Sequence, residues 1–165
     1  MIIREEYLNK LKVLKDKNII KIVTGIRRCG KSTLLLQFRD WLIEHGVKKS
    51  QIILINFEDL EYEDLTDYKS LHKYIKERLK KNVKTYVFLD EIQNVDGWEK
   101  FVRHLSDMKY RVNITGSNSK MLSSEIASTL GGRFMIVQIF PYSFKEYLTA
   151  KGETKDYSGI ISTVD

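Results

Sequence analysis

The sequence has only one proline and one cysteine among 165 residues, and its nine glycines follow no period. Such scarcity excludes a collagen-like or low-complexity chain. The lone cysteine, Cys29, excludes an internal disulfide framework. No apolar run approaches the roughly 18 residues of a membrane span. The opening Met1-Ile2-Ile3-Arg4-Glu5-Glu6 lacks the apolar stretch of a secretory signal. These absences point to a protein of the reducing cytoplasm with no membrane partner. What is present is 42% hydrophobic and 30% charged, sufficient for one core under a heavily charged surface. At this length about one domain is expected.

The net charge of +6 is unevenly spread. Residues 1–50 carry 12 basic and 5 acidic side chains, whereas residues 51–100 carry 8 and 11. A basic N-terminal third suits a solvated lysine-rich surface, or the phosphates of a nucleotide or of nucleic acid. The second basic feature is the polar face of an amphipathic stretch, with Lys69, Lys73, Lys76, Arg78 and Lys80.

Periodicity predicts an ordered alternation of elements. Tyr7, Leu8, Leu11 and Leu14 are spaced as on a short helix. Ile19–Thr24 reads as a β-branched strand ending at Gly25. Residues 31–45 read as a helix burying Leu34, Leu35, Phe38, Trp41 and Leu42. Gln51–Phe57 is a continuous apolar strand, expected to be buried on both faces as in a parallel sheet. An acidic stretch, residues 58–67, precedes the basic helix, whose stripe is Tyr68, Leu71, Ile75 and Leu79. Thr85–Leu89, Tyr110–Thr115 and Phe134–Phe140 are further strands. Asp96 with Glu99 is the pattern of a capping box, opening a helix that buries Trp98, Phe101, Val102, Leu105 and Met108. A short helix is expected over 119–129. Ser143 with Glu146 is a second capping box, opening a helix through Leu148. Strands alternating with helices predict a mostly parallel α/β sheet with helices on both faces. Residues 1–150 form the expected core, and 151–165 read as a tail or a linker to a further region.

Gly25-Ile26-Arg27-Arg28-Cys29-Gly30-Lys31-Ser32 matches G-x-x-x-x-G-K-[ST], placed after a strand and at the start of a helix, as that motif requires. The loop through Thr33 would offer backbone N–H groups and a helix N-terminus to phosphate oxygens. Lys31 supplies a point charge for the β- and γ-phosphates. Ser32 offers a hydroxyl to Mg²⁺. Arg27 and Arg28 either add phosphate contacts, face a neighbouring subunit or stand in solvent. At the end of an apolar strand, Asp90 is placed to hold Mg²⁺ and Glu91 to orient a water against the γ-phosphate. Ser117 and Asn118, with Thr115 behind them, are candidates to touch that phosphate or water. Arg133, after Gly131-Gly132, is either a loop-corner arginine or one that stabilises charge on a phosphoryl group, often in trans. His45, His72 and His104 show no metal-ligand spacing.

The ordered set Gly25–Ser32, Leu89-Asp90-Glu91-Ile92-Gln93, Thr115-Gly116-Ser117 and Gly132-Arg133-Phe134 through Pro141–Leu148 resembles the prokaryotic AAA+ P-loop ATPases. The resemblance implies a three-layer α/β/α sandwich with a five-stranded sheet in the order 5-1-4-3-2. It implies Walker A roles for Lys31 and Ser32, and Walker B roles for Asp90 and Glu91. Ser117 or Asn118 takes the first-sensor position and Arg133 the arginine-finger position, acting between copies in a homo-oligomer. Members of that family continue into a lid or winged-helix region and a C-terminal domain. The implied cofactors are ATP and Mg²⁺. The expected function is ATP binding with hydrolysis coupled to a DNA or protein partner. A nucleotide-binding switch without turnover and a small-molecule phosphotransferase are the alternatives. No Asn/Thr-Lys-x-Asp guanine-reading motif is present.

Overall fold

A computed structural model describes residues 2–80, 82–117, 121 and 124–151. The elements run α1 (Glu5–Val13), β1 (Ile20–Gly25), α2 (Lys31–Glu44), β2 (Ile52–Asn56), α3 (Tyr68–Arg78), β3 (Tyr86–Asp90), α4 (Trp98–Asp107), β4 (Arg111–Ser117), α5 (Ser124–Thr129), β5 (Phe134–Gln138) and α6 (Phe144–Ala150). The five strands pair in the order β2-β3-β4-β1-β5, all parallel. This is the expected order read from the other edge, with β4 inserted between β3 and β1.

The period-two alternation of the strands divides the core into two layers. Val87 and Leu89 of β3, with Ile20 and Ile22 of β1 and Ile114 of β4, meet Leu71, Ile75, Trp98, Phe101 and Ile126 of α3, α4 and α5. Tyr86 and Phe88, with Val23 and Val137, meet Leu8, Leu11, Leu34, Leu35 and Phe38 of α1 and α2. β1 and β3 are buried along their whole length, as central parallel strands must be.

Several details depart from the sequence expectation. β2 is an edge strand, so its residues alternate between buried and half-exposed despite the unbroken apolar run. Met108 is exposed because α4 ends at Asp107 and Met108 is its C-cap. The Asp96–Glu99 box does not form. Gly97, at φ 72°, occupies the N-cap, and Asp96 instead pairs through its backbone with the Thr66–Tyr68 segment. The second box does form. Ser143 N donates to Glu146 Oε2 at 2.8 Å, and Glu146 N donates to Ser143 Oγ at 3.2 Å. Much of the helix expected at 119–129 lies outside the described residues, and the described part is α5. Past Lys151, the expected tail also lies outside them.

Candidate functional site

Parallel strands bring their carboxyl ends to one rim, and there β1, β3 and β4 deliver the predicted residues to one place. β1 runs out at Gly25, whose Cα registers with that of Ser117 at the end of β4. A Cβ at Gly25 would lie 2.5 Å from Cys29 Sγ and 2.6 Å from the Ile139 carbonyl oxygen, so no side chain fits. The chain then turns through residues 26–30, with Arg28 at φ 65° and Gly30 at φ 96°, and enters α2 at Lys31. The left-handed backbone at Gly30 is the conformation that glycine adopts without a steric penalty.

Lys31 is 5% exposed. Its ammonium lies 3.3 Å from Glu91 Oε1 and donates to the Ile26 carbonyl at 3.4 Å. Glu91 has a left-handed backbone, φ 55°, which is strained for a residue with a Cβ. Two contacts hold it there. Its N–H donates to Thr115 Oγ1 at 2.8 Å, and Gln93 Nε2 donates to its Oε2 at 2.6 Å. The Thr115 hydroxyl in turn donates to Asp90 Oδ1. One threonine therefore sets the relative position of both carboxylates.

Burial pushes the Asp90 carboxyl above its ordinary pKa, although hydrogen bonds from Thr115 and Ser32 oppose the shift. The charge of Glu91 adds to the rise. Desolvation of a carboxylate that the Lys31 charge offsets only in part is the situation a bound cation relieves. Among the described residues no cluster of three or more His, Cys, Asp or Glu could hold a metal alone. Ser32 and Asp90 could supply the one or two hard-oxygen ligands that Mg²⁺ takes from protein, the remainder coming from water and substrate phosphates. The donor set thus fits Mg²⁺ brought in with a nucleotide.

A cavity of about 450 Å³ opens over these groups, lined by Arg27, Arg28, Gly30, Lys31, Ser32, Thr33, Glu58 and Glu91. Both loop arginines face this space. Ile26 is exposed, and Cys29 is turned inward into the core between α2 and β5. Ser117 is half-exposed at the end of β4, and it is Thr115 that bridges the two carboxylates. Asn118 lies outside the described residues. Arg133 precedes β5, beside Ile20 at the start of β1, and is therefore at the opposite end of the sheet from the loop. Its guanidinium pairs with Asp107 at 2.5 Å. Within one chain it does not meet Lys31. His72 and His104 come together edge to face, 5.4 Å between ring centroids, from α3 and α4.

Three participants lay outside the sequence reading. Glu58 reaches the cavity because it follows β2 on the same rim. Gln93, the last residue of the Leu89–Gln93 motif, holds Glu91. Arg4 is the largest omission. It is 4% exposed and fastens the back of the phosphate loop. Its Nη1 donates to the carbonyls of Cys29 at 3.1 Å and Phe140 at 2.7 Å. Its Nε and Nη2 donate to the two Glu146 oxygens at 2.9 and 3.2 Å. Burial alone would raise the Glu146 pKa, but the Arg4 and Ser143 hydrogen bonds hold it below its ordinary value. No helical periodicity marks Arg4, which stands at the N-cap of α1.

A strand, a phosphate-type loop, a helix and a carboxylate pair on the rim of an α/β/α sandwich define a P-loop protein of the nucleoside-triphosphate-binding class. Within that class the chain belongs to the AAA domain family, whose model matches residues 17–148. It is 43% identical over 153 residues to an uncharacterized protein of Haemophilus influenzae, and 42% identical over 143 residues to one of Methanocaldococcus jannaschii. These alignments take in 92% and 86% of the chain but only 38% and 30% of those relatives. The chain therefore spans roughly a third of the relatives it matches. Among solved structures it resembles a DNA replication initiation factor, with a TM-score of 0.60 at 16% identity over 93% of this chain and 51% of that one. It also resembles Hsp104 in a closed state with ATPyS and FITC casein, with a TM-score of 0.63 at 15% identity over 92% and 29%. A third is AMPPCP-bound DnaA from Aquifex aeolicus, with a TM-score of 0.58 at 13% identity over 98% and 56%. At such identities the likeness is one of fold. No helix among the described residues is long and apolar enough to cross a membrane.

Proposed function

We propose that the chain is the ATP-binding and hydrolysing core of a longer protein. The observation that carries this reading is the contact between Lys31 and Glu91, a buried cation and a carboxylate facing one polar cavity, with Asp90 and Ser32 beside them. Residues 25–33 would cradle the phosphates through backbone N–H groups, and Lys31 would leave Glu91 for the β- and γ-phosphate oxygens. That exchange frees Glu91 to accept a hydrogen bond from a water and to aim its oxygen at the γ-phosphorus, while the bond to the β-phosphate oxygen breaks. Ser32 and Asp90 would hold Mg²⁺, which supplies charge neutralisation at the phosphates. Thr115 keeps Glu91 and Asp90 in register, and Ser117 or Asn118 would sense the γ-phosphate from the end of β4. Adenine nucleotide is favoured by family membership and by the AMPPCP-bound DnaA neighbour.

Arg133 acts in trans in this scheme. It is at the far end of its own sheet, so only a neighbouring copy can bring an Arg133 to the site. The partner driven by hydrolysis is contacted through the portion of the longer relatives beyond this chain, or through the surface described below. One steady-state and binding experiment tests the reading. Glu91→Gln should reduce turnover by about 10²-fold or more with Mg-ATP affinity retained. Arg133→Ala should reduce turnover only at concentrations where the chain assembles. Undiminished turnover in Glu91→Gln overturns the proposal.

A further inference from the structure

All five strands are parallel, so every linker entering a strand lies at one end of the molecule and every linker leaving one lies at the other. The two ends carry opposite charge. Among the described residues, the entering linkers (14–19, 45–51, 79–85, 108–110 and 130–133) hold eight basic side chains and one acidic, Asp16. The described leaving linkers (26–30, 57–67, 91–97 and 139–143) hold two basic and eight acidic. The division cuts across the sequence blocks. Part of the basic excess of residues 1–50, namely Lys15, Lys17, Lys48 and Lys49, meets Lys80 and Lys84 at one end of the sheet, opposite the nucleotide cavity.

From this distribution we infer that the strand-entry end, at the opposite end of the sheet from the nucleotide cavity of the same chain, is a docking surface for the phosphate backbone of duplex DNA. Among the described residues of this end, Lys17, Lys48, Lys49, Lys80, Lys84 and Lys109 are the exposed lysines, with Arg133 exposed beside them. Taken across the sheet in the order β2-β3-β4-β1, the linkers present Lys48 and Lys49, then Lys80 and Lys84, then Lys109, then Lys17. Three strand spacings of about 4.8 Å make this a band roughly 15 Å long before side-chain reach is added. Duplex DNA offers one phosphate per about 1.7 Å of axis, so such a band meets several phosphates at once.

The charge is only partly neutralised internally. Asp16 is shared by Lys84, Lys15 and the Tyr86 hydroxyl. Of the carboxylates at the neighbouring helix ends, Glu44, Glu77 and Asp107, Glu77 lies 3.9 Å from Arg78 and Asp107 is taken by Arg133. The field is felt inside the protein as well. Lys21, buried beneath the surface and held by the carbonyls of Lys17 and Ile19, has its pKa lowered first by desolvation and then by the charge of Arg111, with Lys84 adding to the effect and Asp16 opposing it. The composition selects the kind of nucleic acid. The surface is dominated by lysine, which contacts phosphate as a point charge. Among the described residues its tyrosines, Tyr86 and Tyr110, are buried or half-buried, and its one exposed ring, His45, has a face taken by Trp41, so the surface offers unpaired bases little to stack on.

The test is binding of a fluorescent 20-base-pair duplex of arbitrary sequence to the whole chain at 50–200 mM salt, read by anisotropy. Contact with about five phosphates predicts a log–log salt slope near −4.5, and a loss of affinity of several hundredfold across that range. The triple variant Lys17→Glu, Lys48→Glu, Lys49→Glu should lower affinity by about 100-fold at 50 mM salt and flatten the slope by nearly 3. A matching circular dichroism spectrum and melting temperature would show that it is folded. The inference is overturned by any of four results: no binding at 50 mM salt, an unchanged slope in the folded triple variant, binding of anionic phosphatidylserine vesicles as tight as that of DNA, or salt-sensitive self-association that the variant abolishes while DNA is not bound.

Discussion

Replacing Arg4 by methionine should both destabilise the fold and weaken the nucleotide site, because one buried guanidinium serves both. Arg4 is almost fully buried and its partner Glu146 is one-quarter exposed at the side chain. Removing one member of a buried, doubly hydrogen-bonded pair costs on the order of 3–5 kcal/mol. The exposure of Glu146 discounts this to about 2–4 kcal/mol, since water can resolvate the orphaned carboxylate. The methionine retains the apolar stem, so little of the loss arises from packing. For a domain of this size that corresponds to a fall in melting temperature of very roughly 5–15 °C. Loss of the donor to the Cys29 carbonyl also unfastens the loop between Gly25 and Lys31, and Kd for Mg-ATP should rise about tenfold. Urea unfolding of the wild type, Arg4→Met, Glu146→Gln and the double variant would give the coupling of the pair, expected at about 1–2 kcal/mol. Calorimetric titration of the same four proteins would give the affinities. A cost below about 1 kcal/mol with unaltered nucleotide affinity would refute the idea that Arg4 supports the loop.

Two further perturbations probe other parts of the account. Thr115→Val keeps shape but deletes the hydroxyl between Asp90 and the Glu91 N–H, leaving a buried donor unpaired at about 1–3 kcal/mol; melting should drop by several degrees and turnover by at least about tenfold, and a melt and turnover equal to wild type would contradict the role given to Thr115. Lys21 is fully buried with its pKa lowered to about 8 from an ordinary 10.5, chiefly by desolvation. Between those two values the unfolded chain binds more protons than the folded one, so stability should rise with pH from about 8 to 10, by on the order of 1 kcal/mol per unit. Tyr86, pushed up to about 12 by burial, works in the opposite direction only above pH 10. Lys21→Met should remove the rise, and a flat wild-type profile over pH 8–10 would argue against the lowered pKa.

Local patterns carried most of this architecture. The 3.6-residue stripe of Trp98, Phe101, Val102 and Leu105 marks α4 because a helix packed on a sheet buries one face. The loop from Gly25 to Ser32 was legible because phosphate geometry demands particular residues at particular spacing. What failed depended on position in three dimensions. Nothing in Ile52–Ile55 distinguishes an edge strand from a central one, since both present apolar residues to helices and only pairing decides exposure. Thr115 stood behind Ser117 and Asn118 because the end of a strand cannot be placed to two residues from its composition, whereas the hydrogen bonds to Asp90 and the Glu91 N–H come from the inward-facing Thr115. Arg4 was invisible because its partners, at positions 29, 140 and 146, are brought to it only by the fold. Charge polarity was hidden for the same reason. Block sums along the sequence mix the two ends of the sheet, and only the parallel topology separates them.

The central claim is that the loop and carboxylate pair form a working nucleotide site. Its most direct test is calorimetric titration of Mg-ATP into the chain beside Lys31→Ala, whose side chain now faces Glu91 across 3.3 Å. The account predicts saturable binding by the wild type and a loss of affinity of about 100-fold or more in the variant. Equal affinity in the two proteins would mean that ATP binds elsewhere. No binding to either would mean that residues 25–33 do not hold phosphate in this chain.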